Sequence, residues 1–174
     1  MHVTIYLSGY SKDLKNSIML KIDIPEFKTI NAEHLVLDFN GTLAIDGHYM
    51  QDVIGQLVQI SANLNVHVLT ADTFGSVHKE FSGLPITIKV LETASQDNQK
   101  LDYVKNLGSD KVIAIGNGRN DVLMLKASAL SIGLIQAEGA FGQILGCCHV
   151  ICTSINDALS LLINPKRLLA TLRN

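Results

Sequence analysis

The sequence predicts an α/β protein: a three-layer, Rossmann-like arrangement of a mostly parallel sheet with helices on both faces, preceded by an N-terminal β-hairpin. Three observations predict it. Short apolar runs rich in Val, Ile and Leu recur from residue 34 onward. Between them lie stretches whose apolar residues fall at helical spacing. The two patterns alternate, as they do where crossover helices join parallel strands.

The elements follow in order. Residues 3–7 and 17–24 read as two strands with a turn over 9–16, a pair added to the main sheet within residues 1–30. Leu35-Val36-Leu37 is a buried strand, and residues 44–49 form a small hairpin. Residues 51–62 carry Val53, Ile54, Leu57 and Val58 at near-helical spacing. A strand over 66–69 leads to a helix over 73–81, capped by Asp72 or Thr73. Residues 86–90 are a strand and 97–107 a helix stopped by Gly108. Strand 111–115, helix 119–127, strand 130–135 and a short strand over 149–151 complete the sheet. Residues 155–162 are helical, and Pro165 opens a terminal turn or two. No repeat or Pro-rich linker interrupts the chain, so residues 1–174 are expected to form one domain with its core over 34–152.

Composition narrows the function. With 47 % apolar and 17 % charged residues among 174, the chain can bury a sizeable core. A net charge of -2 without a basic run leaves no electrostatic footprint for nucleic acid, and 5 % aromatics without Trp leave no stacking platform. Met1-His2-Val3-Thr4-Ile5-Tyr6 does not read as a signal peptide. No apolar run approaches the ~20 residues that span a bilayer. Three closely spaced cysteines argue against a disulfide framework. The expectation is a cytoplasmic protein with neither nucleic acid nor membrane as partner.

Four motifs sit where strands end, which is where open parallel sheets bind ligands. In Leu37-Asp38-Phe39-Asn40-Gly41-Thr42-Leu43, a carboxylate follows a buried strand and Gly41 lets the chain turn sharply. Asp38 is placed to attack an electrophile or hold a metal, although the same residues serve equally as turn chemistry. In Val68-Leu69-Thr70-Ala71-Asp72-Thr73, the Thr70 hydroxyl and the N–H groups of the next helix suit phosphate oxygens. Helix capping accounts for the same residues. Lys100 lies in the first turn of its helix, where a cation opposes the helix dipole. Neutralising a phosphoryl group is one reason for it, and plain solvation is another. In Gly116-Asn117-Gly118-Arg119-Asn120-Asp121, glycines again turn the chain between strand and helix.

The last motif is also the confounder. Gly116 and Gly118, with Glu138 about 20 residues on, imitate a dinucleotide fingerprint. Asp121 stands at the third glycine, however, and would repel a pyrophosphate. Cys147-Cys148-His149 with Cys152 matches no common zinc spacing and reads as thiols buried on a small apolar strand. His34, His48, His67 and His78 are scattered and read as surface or core residues.

Taken in order, the four motifs resemble those of the haloacid dehalogenase superfamily over residues 34–152. Gly116-Asn117-Gly118-Arg119-Asn120-Asp121 and Gln99-Lys100 lean toward its soluble, P-type-ATPase-like branch. The resemblance implies a magnesium-dependent phosphohydrolase that forms an aspartyl-phosphate on Asp38, with Thr70 and Lys100 as further catalytic residues. It places the phosphoryl group against Asn40, Gly41, Thr70, Ala71 and Lys100, and Mg2+ against Asp38, Asn40, Asn117 and Asp121. Two departures stand out. Phosphatases of this family usually carry a second Asp two residues after the nucleophile, as general acid and base, where this chain has Asn40. Asn117 likewise replaces the usual Asp of the metal loop. Slow turnover of a small phosphorylated substrate is therefore implied, or a regulatory phosphate-binding protein of the same fold. The connections leave no room for a cap domain, so the site is expected to be open unless a second copy of the chain covers it.

Overall fold

The computed structural model describes residues 19–46, 48–49, 51–71 and 81–174. A six-stranded, wholly parallel sheet forms its centre. In chain order its strands are β3 (His34–Asp38), β6 (Asn65–Thr70), β7 (Ile86–Val90), β8 (Val112–Gly116), β9 (Leu130–Leu134) and β10 (Val150–Cys152). Across the sheet they lie β10-β9-β8-β3-β6-β7. From β3 the chain winds outward through β6 and β7, then returns to the other side of β3 and winds outward again. The reversal falls between β3 and β8, and such a switch point opens a crevice beyond the strands' carboxyl ends.

β3 shows why the sheet is buried on both sides. Its residues alternate between faces. Leu35 and Leu37 join a large core with α1 (Gln51–Ile60), α5 (Ile155–Ile163) and α6 (Pro165–Leu172). Val36 joins a second core with α2 (Gln96–Leu107), α3 (Val122–Ala127) and the short α4 (Ile144–Cys147). His34 and Asp38, two residues either side of Val36, share that second face.

The N-terminal hairpin is present but differs from the expected pair. β1 (Leu20–Ile24) pairs antiparallel with β2 (Lys28–Ala32), a strand the sequence pattern did not single out. The two form a separate sheet whose Ile22, Ile24, Ile30 and Ala32 pack into the large core. The strand expected over 3–7 and most of the helix expected over 73–81 lie outside the described residues.

Smaller differences have local causes. The segment expected as a helix over 119–127 opens with a 3-10 turn, Arg119–Asp121, because the Asp121 carboxylate bonds back to the loop before it. α2 begins at Gln96, so Lys100 is its fifth residue and lies beyond the first turn. Cys147 closes α4, and only Cys152 lies on a strand; all three cysteines are half-buried. β4 (Ala44–Ile45) and β5 (His48–Tyr49) form the expected small hairpin. Among the described residues, nothing apart from that hairpin and α1 is inserted between β3 and β6. The connection between β6 and β7 spans residues 71–85, too short for a domain of its own.

Candidate active site

Asp38, Thr70 and Gly116 end β3, β6 and β8, so the parallel sheet brings three of the four motifs to one edge. α2 delivers the fourth. The Lys100 ammonium donates to Asp38 Oδ1 at 2.5 Å and to Asp121 Oδ1 at 2.6 Å. All three side chains are withdrawn from solvent: Asp38 is 7 % exposed, Lys100 1 % and Asp121 0 %. Burial pulls the Lys100 ammonium toward its neutral form, but the two carboxylates outweigh it and hold its pKa above the ordinary value. Burial, with Asp121 alongside, pushes the Asp38 carboxyl up to about 7 against the pull of Lys100.

The 116–121 loop is built around Asp121. Its Oδ2 accepts the N–H groups of Asn117 at 3.0 Å and Gly118 at 2.8 Å. Gly116 is required because a Cβ there would lie 2.6 Å from that carboxylate. A dinucleotide pyrophosphate would need the same N–H groups, and the chain's own carboxylate occupies them.

The Asp38 loop meets the 116–121 loop at Gly41 and Asn117. Gly41 has a φ of 72°, and a Cβ on it would collide with the Asn117 side chain. Asn117 Nδ2 donates to the Gly139 carbonyl at 3.0 Å, and Thr42 Oγ1 donates to Asn117 Oδ1 at 3.3 Å. Asn40, two residues after Asp38, is exposed. Thr70 is buried at the end of β6, and its carbonyl accepts the Leu91 N–H at 2.7 Å. Ala71 follows it and is half-buried. Asp38, Asn40, Ala71, Lys100 and Asn117 all line one cavity of about 240 Å³.

Two groups of residues were not legible as partners in the sequence. The first is the loop after β9. Gln136 Nε2 donates to the Gly41 and Thr42 carbonyls, both at 3.0 Å, and Glu138 Oε1 accepts the Asp46 N–H at 2.9 Å. Glu138 lines the same cavity. The one signal for this loop was that it too follows a parallel strand. The second group lies at the opposite end of the sheet. His34 Nδ1 and His67 Nε2 are 3.0 Å apart, and His67 Nδ1 is 3.0 Å from the Tyr103 hydroxyl. These two histidines are a bonded pair and not scattered residues.

The oxygen donors that could hold a cation are the Asp38 carboxylate, the Asn40 carbonyl and the Asn117 amide oxygen. They suit a hard ion that keeps much of its own water, as Mg2+ does. Asp121 differs from these three. Both its oxygens are bonded to Lys100 and to backbone N–H groups, and no part of it is exposed.

No protein-family model matches the chain. A curated relative, the uncharacterized protein MJ0073 of Methanocaldococcus jannaschii, is 40 % identical over 87 residues, which is 50 % of this chain and 84 % of that protein. Solved structures agree on the fold. A protein of Legionella pneumophila described as a hydrolase of haloacid dehalogenase subfamily III A superposes with a TM-score of 0.61 at 19 % identity, over 81 % of this chain and 87 % of its own. The cobalt-bound 3-deoxy-D-manno-octulosonate 8-phosphate phosphatase of Haemophilus influenzae gives 0.61 at 14 %, over 82 % and 94 %. The Moraxella catarrhalis enzyme, in complex with magnesium, phosphate and the sugar acid, gives 0.60 at 16 %, over 82 % and 94 %. The chain thus belongs to the same family as the Methanocaldococcus jannaschii protein, and its fold is that of the haloacid dehalogenase superfamily.

Proposed function

We propose that this protein is a phosphohydrolase that transfers the phosphoryl group of a small substrate to Asp38 and then to water. The observation that carries the reading is the buried contact of Asp38 with Lys100, at the switch point of the sheet and on the wall of the cavity. The ammonium orients the carboxylate and favours its anionic form against the opposing effect of burial. The same ammonium then lies beside the phosphoryl oxygens as charge develops on them. Thr70 and the backbone at Asn40, Gly41 and Ala71 complete the phosphoryl cradle. Asp121 acts through Lys100 and through the loop that presents Asn117.

Asp38, the Asn40 carbonyl and Asn117 would hold Mg2+. When bound, that ion supplies positive charge beside the phosphoryl oxygens and so offsets the repulsion between them and Asp38. The neighbours described as binding cobalt or magnesium support this assignment. The P-type-ATPase-like branch rests on the Gly-Asn-Gly-Arg-Asn-Asp loop and on Gln99-Lys100. A cytoplasmic setting agrees with three free cysteines. Among the described residues, no helix is long and apolar enough to cross a membrane. The open cavity leaves room for a second copy of the chain to cover it.

The test is incubation with acetyl phosphate and p-nitrophenyl phosphate, with and without magnesium. A hydroxylamine-sensitive phosphoenzyme is expected in the native protein and not in Asp38→Asn. Its absence from the native protein with every donor would overturn the reading. Asn40 favours one second reading, a regulatory phosphate binder. That protein would show a phosphate-dependent rise in Tm with no phosphoenzyme and no turnover.

A further inference from the structure

We propose that Glu138 is the general acid and base of this site, supplying the proton-transferring carboxylate that Asn40 lacks; this rests on the aspartyl-phosphate reading. Two carboxylates line the cavity among its described residues, Asp38 and Glu138. Asp121 is wholly buried beneath it. If Asp38 is the nucleophile, Glu138 is the remaining carboxyl group on the cavity wall that can give and take a proton.

Its position is fixed from several directions. Gln136 clamps the loop to the Gly41 and Thr42 carbonyls, while its own Oε1 accepts the Ile155 N–H at 2.7 Å. Asn117 binds the Gly139 carbonyl. Glu138 sits between these two anchors, and its Oε1 takes the Asp46 N–H of the hairpin that follows Asn40. Its second oxygen has no hydrogen-bond partner among the described residues. One oxygen therefore orients the carboxyl group and the other is available for chemistry.

A carboxylate oxygen of Asp38 forms the new P–O bond as the P–O bond to the leaving group breaks, and the leaving oxygen takes the proton of the Glu138 carboxyl. Glu138, now a carboxylate, accepts a proton from water as the water oxygen attacks phosphorus. The P–O bond to Asp38 breaks, inorganic phosphate departs, and both carboxyl groups return to their starting states.

Glu138 could instead serve only to latch the hairpin, and Glu138→Gln separates the two roles. The amide oxygen still accepts the Asp46 N–H, but the side chain cannot transfer a proton. We measure decay of the phosphoenzyme formed from acetyl phosphate, and turnover of p-nitrophenyl phosphate against an alkyl phosphate. The expected result for Glu138→Gln is decay slowed by roughly 10²-fold or more, the low end of general acid–base effects. The loss should be larger for the alkyl phosphate, whose leaving group needs the proton more. Decay at the native rate in Glu138→Gln overturns the proposal, and slow decay confined to Glu138→Ala shows a latch. Losses equal for both substrates, without slowed decay, overturn it as well. Failure of the native protein to form any phosphoenzyme sinks the aspartyl-phosphate reading itself, and is thereby distinguished from failure of Glu138 alone.

Discussion

Strand β3 carries a polar side chain at each end, the half-buried His34 and the buried Asp38, and the two ends withdraw them from water in opposite ways. At the carboxyl end, Asp38 stays beside a cation: Lys100 bridges it to Asp121. At the amino end, His34 and His67 are kept neutral. Burial, and then the neighbouring His34, lowers the His67 pKa to about 4; burial lowers that of His34 as well. One helix serves both ends, since Lys100 and Tyr103 are three residues apart on α2 and share a face. A buried charge must be matched by another charge, whereas a buried imidazole needs only a hydrogen bond. The charged end faces the cavity and can do chemistry. The neutral end is packing with polar atoms satisfied.

Removing the cation should break the comparison most severely. Lys100→Met leaves two buried carboxylates without a cation between them and should cost ~3–5 kcal/mol, read as a lower urea midpoint. A change under about 1 kcal/mol would mean that the two carboxylates are not held as a charged cluster. Asn40→Asp acts at the charged end on chemistry alone. Because Asn40 is exposed, Tm should hardly move. In the Glu138→Gln background, hydrolysis should rise by ~10²-fold, and equal rates with and without Asn40→Asp would contradict the missing-proton account. Gly116→Ala presses a methyl group onto Asp121 and should cost ~1–3 kcal/mol, with loss of phosphoenzyme in proportion.

The neutral end gives the gentlest signal, through pH. Above the ordinary value of 6.5, His67 is neutral in both folded and unfolded chains. As pH falls below it, the unfolded chain takes up a proton first and stability declines, until the folded His67 also protonates near pH 4. Urea midpoints between pH 7.5 and 4 should show this acid loss reduced in His67→Gln. An identical loss in both proteins would mean that His67 is not the group responsible.

Much of this was legible in the sequence because strand ends are. A run such as Val-Ile-Ala-Ile followed by Gly-Asn-Gly fixes both a buried strand and its exit. β2 escaped notice because Lys28-Thr29-Ile30-Asn31-Ala32 buries only two apolar residues, Ile30 and Ala32, among polar ones. α4 is a single turn, too short to show a period. At the site, the residue types at 38, 70, 100 and 121 could be picked out, but not that one ammonium holds both carboxylates. Those contacts span 62 and 21 residues, and no local pattern encodes them. The same is true of Glu138, which in the sequence pointed to a dinucleotide ribose and in the structure bonds the Asp46 N–H and lines the cavity with Asp38.

Asn117 carries a consequence for how this site can vary. Its amide nitrogen gives a proton to the Gly139 carbonyl. An aspartate at 117 would set a carboxylate oxygen against that carbonyl oxygen, so the 116–121 loop is not expected to accept an acid there by one isolated change. The β9 loop would have to shift as well, and with it the anchor beside Glu138. Residue 117 and the 136–139 loop therefore form an epistatic pair: each constrains which substitutions the other can tolerate.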